Sequence, residues 1–308
     1  MSNPPHILFL FLDGVGLGQP DFEHNPFVTA EIPNLARLLN GQRPLADTPR
    51  TESERAVFIP TDAALGVPGV PQSATGQATI VTGLNVPELT GGHWGPKPHP
   101  GIVEVIQRES LFIKLRQRGL EAALLNAYPQ RYFDNITSGR RNYSAIPLAV
   151  VAGGYALLTS EDMHKGRAFS VDFTGEGWRR DLDPDAPLYS AREAGHKLAE
   201  VAQTRSFSFF DHWATDYAGH RSDLAEARHL LENFDAVLGG LLEVWDDEAG
   251  LIVITSDHGN LEDLSHKHHT LNRVPTLVVG QARREFADGL TDLTHFAPAV
   301  LKALEAGG

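Results

Sequence analysis

Cysteine is absent from the 308 residues, and that absence excludes disulfides, thiolate metal ligands and a cysteine nucleophile together. Any bound metal must sit on nitrogen and oxygen, for which 14 histidines and 39 acidic residues are available. Basic residues are scarce. With 26 Lys and Arg the formal net charge is −13, which argues against a general affinity for nucleic acid or anionic membranes, since both need basic patches. An anionic substrate would have to be held by local charge. A membrane-length apolar run is lacking near the start as well: residues 7–12 are apolar, but the run is far too short to cross a bilayer and no basic residue precedes it. A buried strand and a cytoplasmic protein are expected.

What is present suits a globular chain. A hydrophobic content of 42% and a charged content of 21% are ordinary for folded domains and speak against disorder, and the length allows one large α/β domain or a domain carrying an insertion. Residues 6–12 form a continuous apolar stretch ending in Asp-Gly, the pattern of a strand buried on both faces of a parallel sheet. Residues 33–40 start with Pro and carry helical spacing. Residues 72–83 read as a tight polar turn entering a short helix, with Ser73 at its N-terminus, where backbone N–H groups and the helix dipole favour an anion. A loop covers 91–101, a helix is expected over 106–118 and a strand over 120–128. Between 131 and 189 the apolar segments shorten, and a small inserted cap is expected there. Helix returns over 190–204, strand over 206–213, and a long amphipathic helix over 223–245 with Asp223 as an early cap. Strands at 251–255 and 274–280 and a helix at 296–306 complete an alternating order. The expected architecture is α/β: a doubly wound, mostly parallel sheet sandwiched by helices, with residues 1–130 and 190–308 as the core and 131–189 as the cap.

Three carboxylates, Asp13, Asp216 and Asp257, each follow an apolar strand, so a parallel sheet would bring them together at the edge where open α/β sheets bind ligands. Alone, an acidic residue in that place is more often a turn former or a cap. The neighbours change the odds. Asp216-Tyr-Ala-Gly-His220 pairs a carboxylate with an imidazole, Asp257-His258 supplies a second pair, and a loop with His266, His268 and His269 follows. Such a mixture of oxygen and nitrogen donors suits Zn²⁺ or Mn²⁺ better than Ca²⁺.

The segments DGVG at 13–16, QSATGQ at 72–77, DYAGH at 216–220, TSDHGNLE at 255–262 and HTLNRVP at 269–275 occur in the chain order of the alkaline phosphatase superfamily. They most resemble the cofactor-independent phosphoglycerate mutases and phosphopentomutases, over about residues 5–135 and 190–305. That resemblance implies two divalent metal ions, Mn²⁺ or Zn²⁺, one held by Asp13, Asp257 and His258 and the other by Asp216, His220 and His269. It also implies a hydroxyl nucleophile in the QSATGQ turn, at Ser73, with Thr75 as the competing hydroxyl.

A serine hydroxyl needs a metal or base to act at neutral pH, and two ions would also attract a phosphate dianion in spite of the protein's overall charge. The expected reaction is phosphoryl transfer through a phosphoserine, ending on water as hydrolysis of a small phosphorylated metabolite or back on the substrate as a phosphomutase. A short cap closes poorly against water, which inclines the reading to hydrolysis. Lys165, Arg167, Arg140 and Arg141 are the candidate substrate-binding cations, being donors of the kind that orient phosphate or carboxylate. No nucleic acid and no membrane partner are expected.

Overall fold

The computed structural model describes residues 5–305. The first apolar run becomes β1 (His6–Leu12), buried at every position. Successive side chains leave a strand on opposite faces, so Ile7, Phe9 and Phe11 join one hydrophobic cluster while Leu8, Leu10 and Leu12 join another. That two-sided burial explains why the run is continuous and does not alternate.

The remaining strands are β2 (Thr51–Glu52), β3 (Ala56–Thr61), β4 (Ala122–Leu124), β5 (Ala127–Tyr128), β6 (Leu158–Thr159), β7 (Phe207–His212), β8 (Gly250–Thr255) and β9 (Val274–Val279). Seven of them form one sheet in the order β2-β3-β9-β8-β1-β7-β4. The strands β8, β1, β7 and β4 are parallel. β9 runs against β8, and β3 runs against β9 and so points with the central four. The sheet is therefore mostly parallel with antiparallel pairing on one side, the α/β arrangement expected.

Helices cover both faces. Ser73–Thr82, Pro100–Glu109, Leu111–Gln117, Ala145–Ala152 and Phe296–Glu305 lie over one, and Ala191–Ala202 with Leu224–Val244 over the other. The helix expected over 106–118 is two helices that meet at Ser110. Its backbone leaves the helical region (φ −54°, ψ 136°), and its buried hydroxyl accepts from Phe112 N at 3.2 Å while donating to Ala149 O at 3.1 Å. The apolar stretch 120–128 is likewise split, into β4 and β5, because Asn126 turns its amide to the backbone of Asp211, donating to its oxygen and accepting from its N–H at 2.8 Å each.

Residues 131–189 do not behave as one unit. The helix Ala145–Ala152 packs on the helices Ser73–Thr82, Pro100–Glu109 and Leu111–Gln117 and on β4, within the larger core. Met163, Ala168, Trp178 and Ala186 instead gather with Ala127 in a small cluster of their own.

Candidate metal centre and nucleophile

Three neighbouring strands, β8, β1 and β7, deliver acidic residues to the same sheet edge. Asp13 follows β1, Asp257 and His258 follow β8, and Asp216 stands in the helix Ala214–Arg221 just after β7. Gly14 makes the crossing possible. Its φ is +68°, and a Cβ there would lie 2.5 Å from Asp216 Oδ1. The Ser73 helix is pressed onto the same edge, since a Cβ on Gly76 would come within 2.8 Å of Asp257 Cβ. That contact sets Ser73, the first residue of its helix, with Oγ 3.0 Å from His258 Nε2.

The donors form two adjoining groups. In one, His258 Nε2 lies 3.5 Å from Asp13 Oδ1 and 3.6 Å from Asp257 Oδ2. In the other, Asp216 Oδ2 is 3.3 Å from His220 Nε2 and its Oδ1 is 3.6 Å from His269 Nε2, with the two Nε2 atoms 3.2 Å apart. The rings of His258 and His269 stack at 3.7 Å and so join the groups. His258 also stands with Asp216 and His269 as a possible third donor, one atom from each lying within 4.8 Å of the others.

Hydrogen bonds define which nitrogen faces inward. Nδ1 of His220 meets Lys267 O at 3.0 Å, Nδ1 of His269 meets Pro71 O at 3.0 Å, and Nδ1 of His258 meets Gly259 O at 3.4 Å. A carbonyl only accepts, so each Nδ1 carries a proton; burial lowers His258 and His269, which then present a lone pair at Nε2 as metal-ligating histidines do, whereas the hydrogen bond to Asp216 raises His220 and places a proton on its Nε2 until a cation displaces it. Asp13 Oδ1 and Asp257 Oδ2 point the same way: both are buried and neither has a hydrogen-bond partner. The residues fit two divalent cations with a preference for mixed nitrogen and oxygen donors.

Charge tells the same story. Burial first, and then the neighbouring Asp257 carboxylate, push the Asp13 carboxyl well above its usual range. Burial and the charge of Asp216 do the same to Asp257. At Asp216 burial also pushes up, but hydrogen bonds from His220 and Asn260 and the nearness of His258 prevail and hold it at about 2. Burial lowers His258 to about 3. Three carboxylates beside the buried rings of His258 and His269, both pushed toward the neutral form by burial, are a poor arrangement alone and a good one around cations.

Several supporting residues were not singled out in the sequence, although they lie inside the motifs that were. Gln77 Nε2 donates to Asp13 Oδ2 at 3.2 Å. Asn260 Nδ2 donates to Asp216 Oδ1 at 2.6 Å. Glu262, 1% exposed, accepts from Gly16 N at 2.9 Å, Asn260 N at 2.8 Å and Asn272 Nδ2 at 3.0 Å, and also from the Thr270 hydroxyl. It ties together the three loops that carry Asp13, Asp257 and His269. Thr75, the competing hydroxyl, is fully buried and bonded to Gln72 O and to the backbone of Trp94.

The four candidate cations separate. Lys165 is paired with Glu161 and Arg167 with Asp162. Arg140 is exposed and in no ion pair among the described residues. Arg141 stands over the Tyr132 ring at 4.8 Å and lines a cleft of about 480 Å³ at the carboxyl end of β7.

Residues 176–306 match the family model of the metalloenzyme superfamily. Among curated proteins, the 2,3-bisphosphoglycerate-independent phosphoglycerate mutase of Methylobacillus flagellatus is 28% identical over 130 residues, and that of Rhodopseudomonas palustris is 31% identical over 134 residues. The matched stretches cover 39% and 41% of this chain but only 25% of each relative, so the chain shares about a quarter of their length. Among solved structures, the PH0037 protein of Pyrococcus horikoshii superposes with a TM-score of 0.60 at 17% identity, covering 100% of this chain and 99% of its own. The alkaline phosphatase of the Antarctic bacterium TAB5 gives 0.56 at 12% identity, covering 99% of each. The phosphoglycerate mutase of Leishmania mexicana gives 0.50 at 11% identity, covering 99% of this chain and 97% of its own. Residues 176–306 are thus similar to the metalloenzyme superfamily, and the chain as a whole has an alkaline phosphatase-like fold.

Proposed function

We propose that this protein is a two-metal phosphoryl-transfer enzyme that hydrolyses phosphomonoesters through a phosphorylated Ser73. The observation that carries the reading is the aim of the Ser73 hydroxyl, 3.0 Å from the one imidazole nitrogen that also faces Asp13 and Asp257. Asp13, Asp257 and His258 would hold one divalent ion, and Asp216, His220 and His269 the other. Bound there, the ions would neutralise phosphoryl oxygens and lower the pKa of the serine hydroxyl.

The chain's own part is to bind, orient and exclude. Carbonyls of Lys267, Pro71 and Gly259 fix the histidine rings, and Gln77 and Asn260 hold the carboxylates. The dipole of the Ser73 helix favours the anion at its N-terminus. Ser73 gives up its hydroxyl proton as Oγ attacks phosphorus, the ester P–O bond breaks, and the leaving alkoxide takes up a proton to depart as the alcohol. Water then attacks the phosphoserine and gives up a proton, the P–Oγ bond breaks, the Ser73 oxygen regains a proton, and inorganic phosphate leaves.

The cap reading narrows in this proposal to residues 158–187, with the small cluster around Met163 and Trp178 as its core. So small a cover favours escape of the alcohol and entry of water. The mutase reading rests on the names of the relatives that share the matched segment. Turnover in ¹⁸O-labelled water distinguishes them: hydrolysis gives phosphate with one labelled oxygen, whereas a positional isomer formed faster than free phosphate would overturn the hydrolase reading.

A further inference from the structure

Beside the metal centre lies the cleft of about 480 Å³. Its position links it to the reaction. Asn126 at its floor is clamped to the Asp211 backbone, Trp213 on its wall directly follows β7, and Asp216 comes three residues later. Asp13 N donates to His212 O at 3.4 Å, so the cleft is one strand away from Asp13, and neighbouring strands are roughly 4.8 Å apart.

The walls are of two kinds. Tyr128, Tyr132, Trp178 and Trp213 present aromatic surface, suited to stacking on a flat ring. Arg131, Arg141 and Arg180 line the cleft with Asp172 and Asp181; Arg180 pairs with Asp181 and Asp172 accepts from the N–H groups of Gly175 and Gly177, while Arg131 and Arg141 are in no ion pair among the described residues. The Tyr132 hydroxyl is buried, its residue 6% exposed, and has no hydrogen-bond partner. Buried hydroxyls are seldom left so, and a phenol can donate to an anion. The volume lies within the roughly 300–1,000 Å³ usual for sites that enclose ring-sized organic molecules.

We propose that this cleft is the leaving-group subsite, and that it takes an aromatic ring bearing a second anionic group, carboxylate or phosphate, held by Arg141 with Arg131 and Tyr132. The assignment rests on the phosphoryl-transfer reading of the metal centre, and its test can fail separately from that reading.

With the metal-loaded protein, phenyl phosphate, 4-carboxyphenyl phosphate and 1,4-phenylene bisphosphate are compared as substrates. At least a tenfold higher kcat/KM is expected for one or both of the anionic esters, and which one leads identifies the second anion. Arg141→Ala should erase that preference by raising KM tenfold or more with kcat nearly unchanged, while phenyl phosphate is unaffected; Arg141→Gln should do the same, and Lys197→Ala should change nothing. Binding is read independently by titrating 4-hydroxybenzoate and hydroquinone monophosphate and following quenching of tryptophan fluorescence, expected to saturate in the parent and to be lost in Arg141→Ala. Equal use of the three esters, or an equal effect of Arg141→Ala on all three, overturns the subsite. Arg141-dependent quenching without turnover of any ester sinks the phosphoryl-transfer reading and keeps the cleft as an aryl-anion site. Turnover of phosphomonoesters without Arg141-dependent binding does the reverse.

Discussion

Ser73 and Thr75 are two hydroxyls on one turn with different fates. Thr75 is consumed by backbone partners that join its helix to the loop at Trp94, whereas Ser73 reaches the donor cluster. Ser73→Ala should therefore lower kcat by roughly 10³-fold or more while metal content by elemental analysis and the melting temperature stay near the parent values. Thr75→Ala should keep Ser73 and lose on the order of 1–3 kcal/mol of stability by denaturant unfolding, because it leaves the Trp94 N–H without its acceptor. A phosphopeptide mapping to Thr75 would reverse the assignment. Asp211 shows what burial does where no ligand role is assigned: desolvation pushes its carboxyl up to about 7, and its Oδ1 has no partner. The unfolded chain ionises near pH 4 and the fold does not, so this residue's contribution to stability is intact below about pH 4. It is lost as pH rises toward about 7, with a slope of at most about 1.4 kcal/mol per pH unit. Asp211→Asn should accordingly gain more over the parent at pH 8 than at pH 4.5, read as the shift in urea midpoint; an equal shift at both values would mean the carboxyl is ionised in the fold.

Elements meet at this site through loops, and Glu262 is where the loops are tied. Its carboxylate collects donors from residues 16, 260, 270 and 272 without a charged partner. Glu262→Ala would leave those donors unpaired in a dry interior, with an expected loss on the order of 3 kcal/mol and a weaker hold on both metals. Isothermal titration of the apoprotein with Mn²⁺ or Zn²⁺ checks it, and unchanged affinity would show that the loops keep their places unaided. Close approach is equally specific at Gly76. A methyl group there meets the Asp257 Cβ and backbone oxygen at 2.8 and 3.0 Å, so Gly76→Ala should push the Ser73 helix off the β8 loop. Turnover should fall more than the roughly 1–3 kcal/mol of stability lost to overpacking would imply.

Across the whole molecule the candidate metal donors come from chain positions as far apart as Asp13 and His269, and only the folded sheet assembles them. Cations that bind this arrangement and not the unfolded chain stabilise the fold by mass action, about 4 kcal/mol at a free concentration a thousand times Kd. Chelation should lower the melting temperature and abolish turnover together, and re-addition of Mn²⁺ or Zn²⁺ should restore both. If metal loss confirmed by elemental analysis leaves melting unchanged, the two-ion site is not there. With a net charge of −13, anion capture would fall to the proposed metal centre and to Arg131 and Arg141 of the proposed subsite, so raising salt should weaken substrate binding through the screened arginines more than through buried ions.

Much was legible in the chain alone. Strands buried on both faces announce themselves as unbroken apolar runs, as at 6–12 and 250–255, and the long helix after Asp223 carries its cap and its apolar stripe. The motifs that end those strands named the converging donors, because a parallel sheet sends every such ending to one edge. Other features depended on contacts that no local pattern encodes. The strand β3 joins the central strands by pairing with β9, some 215 residues away in sequence where Thr61 meets Thr276. Ser110 breaks a helix because its hydroxyl finds Ala149 and Phe112, and Lys165 and Arg167 are spent on Glu161 and Asp162 while Arg141 stays free over Tyr132. Residue type and period determine which side chains are buried and which strands end in ligands. Which cation faces the cleft, and which hydroxyl remains unpaired, is decided by partners distant in the chain, and those exist only once the tertiary structure has formed.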